Sequence, residues 1–530
     1  MTETTTSANR QIARAAGVVM AGFVLSNLTG LVRQILVSNA FGTRAEIDAF
    51  NAAARVPDTL FVLVAGGALA SAFIPAFTGL LERGDRGGAW ELASSVMNIV
   101  SLVLAVVSAL AAVFAPELVR GVLAPKFTPG QQALTVSLLR ILLVSPVIFG
   151  VSGLVMGILN THQHFLLPAL APTLHWVGWI VGVLAFVPRW GIHGLAWGAV
   201  LGAGLHLAVQ LPGLRGLPGA RYVPRLGLGS PAVRQVARLM APRMLGVAVV
   251  QLNFWINVIL ASGMPEGSLT AIGVAFAVMT MPQVVIAQAI AIAALPTFAA
   301  QVARGEVGAM RSSLAATLRG VLLLSVPAAV GLILLRFPVV AALFERGEFN
   351  ARSTELVAWA LLWYTAGLVS HSVVEIVSRA FYALHDTKTP VFVGAAAMGL
   401  NAVLSVGLAA WFGRVGWMPH GGLALANTIA TTLEMVALLW LMRKRLGGLE
   451  GRRVLLGLGQ ATLGSLVMGA GIWMWLRLSY VLWLAVLGVV VGGVIYAGMV
   501  WLLGVEEVRE VYRWVRGGVR SCVTKQGTGG

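Results

Sequence analysis

Apolar runs about as long as a hydrocarbon core is thick follow one another from residue 17 to residue 504, joined by short links. Inside lipid every backbone N–H and C=O must find its partner within its own segment or in a closed barrel. Continuous apolar runs of this length therefore fold as helices. Their approximate limits are 17–41, 54–81, 91–115, 133–158, 166–187, 193–212, 236–262, 268–299, 314–337, 355–383, 390–412, 419–442, 454–476 and 479–504. Only 11% of the residues are charged, against about 25% in a soluble domain. The expectation is an all-α polytopic membrane protein with about 14 transmembrane helices and no soluble domain. The 62 glycines suit close helix packing in lipid. The polar stretch 1–16, with Arg10 and Arg14, reads as the flank of the first span rather than a cleavable leader.

The longest internal polar link, 213–235, divides the runs into residues 1–212 with six spans and 236–442 with six more. Residues 443–504 add two further spans, and 505–530 form a basic tail. The halves repeat. ALASAFIPAFTGLLERGDRGG (68–88) matches AIAALPTFAAQVARGEVGA (290–308), with Pro75, Phe77, Arg83 and Gly84 on Pro296, Phe298, Arg304 and Gly305. GLAWGAVLGAGLHLAVQL (194–211) matches GLALANTIATTLEMVALL (422–439). Six spans per repeat preserve orientation, so the reading is two six-helix lobes related by a parallel repeat, plus two extra C-terminal helices. That architecture suits a transporter with a midplane cavity.

The net charge of +17 is scattered over short loops. It is read as membrane orientation and headgroup contact, with no nucleic-acid role. Arg215, Arg221, Arg225 and Arg234 fall on one side with Arg443, Lys444, Arg445, Arg452 and Arg453. Fewer basic residues fall on the other, so both termini are expected in the cytoplasm. The tail, with valines set against arginines, is expected on the inner leaflet. The lone cysteine, Cys522, excludes an intrachain disulfide.

No HExxH, phosphate-binding GxxxxGKS/T or zinc set is present, so the chain reads as a transporter rather than an enzyme, with no cofactor. Charges inside apolar runs are the informative residues. Arg33 and Arg55 are candidate ligands for phosphate through paired charge-assisted hydrogen bonds; snorkelling to headgroups is the alternative. Asp48 could pair with either arginine or cap the second span. Asn27 and Asn51 could line the same cavity or bond between helices. Glu375 and Arg379, i and i+4 on one span, suit an internal ion pair. Glu434 has no obvious partner in sequence.

SNLTGLVRQILVSNAFGTRAEIDAF (26–50), GILNTHQHFLLPALAPTL (157–174) and RAFYALHDTKTPV (379–391) resemble signature stretches of the MurJ (MviN) family, bacterial lipid II flippases of the multidrug/oligosaccharidyl-lipid/polysaccharide exporter superfamily. The likeness runs over nearly the whole chain. It implies fourteen spans, two six-helix lobes around a cavity, and a lipid-tail groove partly built by the last two spans. It also implies peptidoglycan synthesis, with a lipid-linked diphosphate and membrane lipids as partners and contact with cell-envelope synthesis proteins. The chain departs from the family pattern at Asn27, Phe61 and Ala277, where the family carries arginine. Where some members hold sodium, the matching positions are Asn257, Asn401 and Ser405, with no carboxylate. Sodium or proton coupling is open on this reading.

The resulting expectation is a flippase in the bacterial cytoplasmic membrane. It moves a polyprenyl-diphosphate-linked saccharide outward by alternating access, with Arg33 and Arg55 on the diphosphate. The alternatives are a transporter of another lipid-linked sugar or amphipathic substrate, or a degenerate, non-transporting membrane scaffold.

Overall fold

The computed structural model describes the backbone of residues 2–64, 68–478 and 482–505, and it is mostly helical, with an irregular link at 215–230. Eleven of the described helices are long and apolar enough to cross a membrane. The pair Ala351–Ala366 and Leu368–Ala383, bent by 46° at Gly367, makes a twelfth. The two remaining expected spans are also helical. The run 54–81 corresponds to Ala45–Val64 and Ala68–Glu82, and it carries Arg55 and Asp58. The run 236–262 lies in Pro231–Ala261, which carries Arg234, Arg238 and Arg243. The tail expected on the inner leaflet, 506–530, lies outside the described residues.

Packing separates two compact units, Met1–Thr270 with Arg346–Asn350, and Ala271–Glu345 with Ala351–Gly530. The 213–235 link lies within the first unit. That link is bound to the first unit by its own backbone. Trp90 Nε1 donates to Pro218 O at 3.2 Å, and Asn98 Nδ2 donates to Arg225 O at 2.8 Å. Ser94 Oγ accepts from Val223 N at 3.0 Å, and Arg225 pairs with Glu91 at 2.9 Å. Pro231–Ala261 then packs on Ala45–Val64 and Ala68–Glu82, inside the same unit.

Among the described residues the first unit shows two buried clusters. One gathers Phe41, Phe50, Leu123, Leu138 and Leu195; the other gathers Phe73, Phe77, Leu92, Leu154 and Leu159. Glycine sets how closely two of its helices approach. A Cβ on Gly178 would run into the backbone of Gly202, and one on Gly182 would stand 2.5 Å from Gly198 Cα. Small residues in these rows let Leu166–Val181 lie against Ile192–Ala208 backbone to backbone. That contact orients the face of Leu166–Val181 carrying His175, Trp176 and Trp179.

The second unit is centred on Phe298, Met310, Leu314, Val377 and Phe381. Gly451–Leu478 packs along Val307–Leu334, and Leu482–Leu502 packs on Gly451–Leu478. Tyr496 ties the last helix down by donating to Leu323 O at 2.6 Å. Asp386, in the DTKTP stretch, accepts from Thr389 N at 3.0 Å and Thr389 Oγ1 at 2.8 Å. It stabilises the first turn of Lys388–Arg414. Those two bonds hold its carboxyl below the usual carboxylate range.

Candidate functional site

Arg33 lies in the helix Thr2–Phe41, half-buried, with its guanidinium between two indoles. The guanidinium carbon is 4.6 Å from the Trp176 ring centroid and 4.9 Å from that of Trp179. The indoles are i and i+3 on Leu166–Val181, so one helix face supplies both. Gly30 makes room for this cage, because a Cβ there would stand 3.3 Å from Trp176 Nε1. One N–H of Arg33 is used locally, from Nη2 to Gln34 Oε1 at 2.8 Å. Its Nε is buried without a partner.

Arg55 rises from Ala45–Val64 with its guanidinium 5.4 Å from the Phe254 ring, and its Nε is likewise buried and unpartnered. Thr59, one turn on, donates to Arg55 O at 2.7 Å and accepts from Trp255 Nε1 at 2.8 Å. Pro231–Ala261 thus braces the helix that carries Arg55. Asp58 sits three residues beyond Arg55, exposed at its surface though set deep among the helices, and within electrostatic range of both Arg55 and Arg33. Among the described residues no carboxylate lies within ion-pairing distance of either guanidinium. The three charges share one region without closing into a pair, and leave one net positive charge.

Aromatic rings and a polar network adjoin this cluster. Phe61 packs on Phe149 with centroids 4.6 Å apart, and Phe149 meets His175 at 5.1 Å and His206 at 5.3 Å. His206 Nδ1 is 2.7 Å from Ser152 Oγ, and Gln210 Nε2 donates to the same hydroxyl at 2.7 Å. His175 is within electrostatic reach of Arg33 and His206.

Asp48 has another role. It is 3% exposed and faces neither arginine as a partner. Its Oδ2 accepts from Gly267 N at 2.8 Å, while Oδ1 accepts from Thr270 N at 2.8 Å and Thr270 Oγ1 at 2.5 Å. Asn51 Nδ2 donates to Thr270 Oγ1 at 3.0 Å. In return Glu266 Oε1 accepts from Ala45 N at 2.7 Å. Asp48 therefore caps, in place of its own helix, the turn that starts at Gly267, and Glu266 caps the start of Ala45–Val64. The pairing of Asp48 with Arg33 or Arg55 does not occur, because all the bonds found for its carboxylate go to that turn. Asn51 joins this clasp rather than the arginines. Asn27 is exposed and donates to Phe23 O of its own helix at 2.8 Å, so it stands outside the cage.

In the second unit Glu375 and Arg379 form the expected ion pair at 2.9 Å, each side chain about half-buried. Ser405 donates to Asn401 Oδ1 at 3.0 Å, both residues buried in Lys388–Arg414. Asn257 belongs to the first unit, with Oδ1 buried and unpartnered. Among the described residues no group of three or more His, Cys, Asp or Glu is placed to hold a metal ion.

Arg33 and Arg55 thus keep their place as candidates, while Asp48, Asn51 and Asn27 are drawn elsewhere. Asp58, Trp176, Trp179 and His175 join the candidates without having been singled out from sequence. For Asp58 the signal was present, as an acid at i+3 from Arg55. For the indoles it was an i, i+3 pair of tryptophans in the middle of a span. Chemically, the region offers two fixed guanidiniums with unused N–H groups, a partial counter-charge and flat apolar walls. It suits an anionic group attached to an apolar body.

Comparison with known proteins agrees on one family. The family model described as lipid II flippase MurJ matches residues 37–493. The chain is 31% identical over 436 residues to the lipid II flippase MurJ of Burkholderia cenocepacia, covering 80% of this chain and 83% of that one. It is 29% identical over 525 residues to a probable lipid II flippase MurJ of Bdellovibrio bacteriovorus, covering 95% and 97%. Among solved structures, a lipid II flippase MurJ in an inward closed conformation superposes with a TM-score of 0.79 at 23% identity, covering 93% of this chain and 99% of that one. An inward-facing multidrug resistance MATE family transporter of the MOP superfamily superposes at 0.68 with 19% identity, over 80% and 96%.

Proposed function

The chain belongs to the MurJ lipid II flippase family, and we propose on that footing that it moves lipid II, a polyprenyl-diphosphate-linked saccharide, from the inner to the outer leaflet of the bacterial cytoplasmic membrane by alternating access. It is a multi-pass membrane transporter and not an enzyme. Membrane lipids and the lipid-linked substrate are its partners. Both termini lie in the cytoplasm on this reading, which rests on the arginine-rich links at 213–235 and 443–453.

The observation that carries the site assignment is the caged guanidinium of Arg33 with its unpartnered Nε. A buried guanidinium without an anion is costly. Two indoles hold this one flat, and Nη2 to Gln34 is the one hydrogen bond found for it among the described residues, so an incoming diphosphate would meet a fork that is already oriented. Arg55 provides the second cationic contact. Asp58 balances the pair in the absence of substrate and gives way to the diphosphate as it binds. Asn27, Phe61 and Ala277 give the chain fewer cations than the family pattern. That depletion favours one second reading, a different lipid-linked diphosphate held by the same two arginines.

Complementation of a flippase-depleted bacterium tests the assignment. The wild-type chain should restore growth, and the Arg33→Ala chain, expressed to the same level, should not. Growth restored equally by both would remove Arg33 from the site; failure of the wild-type chain with normal membrane insertion would favour the second reading.

A further inference from the structure

Glu434 occupies the middle of His420–Leu446, a 27-residue helix of membrane-spanning length. It is half-buried, and among the described residues it has neither a hydrogen bond nor an ion pair. Its carboxylate lies over Gly394 of Lys388–Arg414, where a Cβ would stand 3.2 Å from Oε1. The glycine leaves the space that the carboxylate fills. Towards the start of the same helix, on the same face, come Thr431 and Asn427. Both meet His371 of Leu368–Ala383: Nε2 is 3.0 Å from Asn427 Oδ1 and 3.5 Å from Thr431 Oγ1. Polar side chains therefore run from His371 through Asn427 and Thr431 to Glu434.

Among the described residues the packed neighbours show no counter-charge at Glu434. Leu368–Ala383 presents His371 and the pair Glu375–Arg379, whose charges are matched to each other at 2.9 Å. Lys388–Arg414 has no titratable residue between its terminal Lys388 and Arg414. Ala351–Ala366 has Arg352 and Glu355 in its first turns and Tyr364 near its end; Val307–Leu334 has Arg311 and Arg319. On the helix itself His420 is bonded to Leu356 O at 2.9 Å, and Arg443, Lys444 and Arg445 are confined to the last turn.

A carboxylate in hydrocarbon with no cation beside it is too costly to persist. It must take up a proton or a metal ion. A metal ion needs several oxygen ligands at once, and no group of three or more such acidic or histidine residues occurs among the described residues. We propose that Glu434 is a proton-binding site of the second unit. It is the neutral acid while enclosed and releases the proton when the transport cycle opens it to water, with the His371–Asn427–Thr431 run as its polar route. The inference does not rest on the identity of the substrate.

The test is infrared difference spectroscopy of the full chain in lipid vesicles, acidified against alkaline, comparing wild type with E434Q, E434D and D58N. The wild type should show the carbonyl band of an un-ionised carboxylic acid, shifted in heavy water. That band should be lost in E434Q, displaced in E434D, and kept in D58N. An E434Q spectrum that superposes on the wild type overturns the proposal. So does sodium that removes the band at fixed pH as fully as alkali does, since the site would then be a metal-ion site.

Discussion

Replacing Arg33 gives the sharpest test of how the first unit holds an anion. Its guanidinium has five N–H donors; one goes to Gln34, and Nε is buried with no partner. A diphosphate reaching two of the remaining donors would gain two charge-assisted bonds, each about 1.5–3 kcal/mol. Part of that gain replaces bonds to water, so a net of about 3 kcal/mol is the working figure, which at about 1.4 kcal/mol per decade is roughly a hundredfold in Kd. Arg33→Lys keeps the charge but loses the fork and the flat contact with Trp176 and Trp179, so it should lose about tenfold. Trp176→Leu keeps the whole arginine and removes one wall of the cage, a contact worth about 0.5–2 kcal/mol, so it should lose between about twofold and thirtyfold. The assay is binding of undecaprenyl diphosphate to purified, monodisperse protein at fixed salt, with thermal unfolding as a control for folding. The expected order of affinity is wild type, then Trp176→Leu and Arg33→Lys, then Arg33→Ala. An Arg33→Ala protein that binds within twofold of wild type would falsify the cage as an anion site. Equal loss in Lys and Ala would show that charge alone is not what binds.

Other consequences follow from the same geometry. Asp58→Asn removes the partial counter-charge beside Arg33 and Arg55, so it should tighten undecaprenyl diphosphate binding up to about tenfold; weaker binding would mean Asp58 orients the arginines instead of competing with the ligand. Asp48→Ala leaves the Gly267 and Thr270 amides without their acceptor, and should cost about 3 kcal/mol or more, read as a lower unfolding temperature. Asp48→Asn should fall between the two, and an unchanged unfolding temperature for both would show that the clasp is not a stabilising feature. A cysteine at Ser230, in a Cys522→Ser background, should react with an impermeant maleimide only after the cells are permeabilised. Labelling of intact cells would invert the orientation.

The helical framework was legible because it depends on a local property. A run of apolar residues long enough to cross lipid has one way to satisfy its backbone, whatever its neighbours are. The Glu375–Arg379 pair was also legible, since i, i+4 spacing fixes its geometry in advance. Asp48 was not. Its acceptor bonds go to residues 219 and 222 positions away, and nothing local distinguishes an aspartate that caps a distant turn from one that pairs with a nearby arginine. The indoles around Arg33 were unassigned for the same reason: their spacing shows a common face, but not which helix that face meets.

Depletion of cations and retention of function are compatible on physical grounds. The value of a cation to an anionic ligand depends on how far it is held and dehydrated beforehand, more than on how many cations are present. An arginine at Asn27 would stand on an exposed stretch of its helix, and its contact with a diphosphate would have to offset the ordering of a long side chain. Arg33 has already met that cost, being fixed between Trp176 and Trp179. Phe61, where the family pattern has arginine, forms part of the ring contact with Phe149 that adjoins His175. A lower density of charge there raises the local cost of water, and so strengthens each remaining ionic contact. Two well-held guanidiniums against apolar walls can thus replace a larger, wetter set. The discriminating measurement is salt dependence. Binding through Arg33 and Arg55 in such surroundings should weaken only slightly from low to physiological salt, whereas an Asn27→Arg variant, if its added arginine contributes at all, should gain affinity at low salt and lose that gain as salt rises. A wild-type affinity that collapses with salt would place the anion on exposed arginines of the links instead.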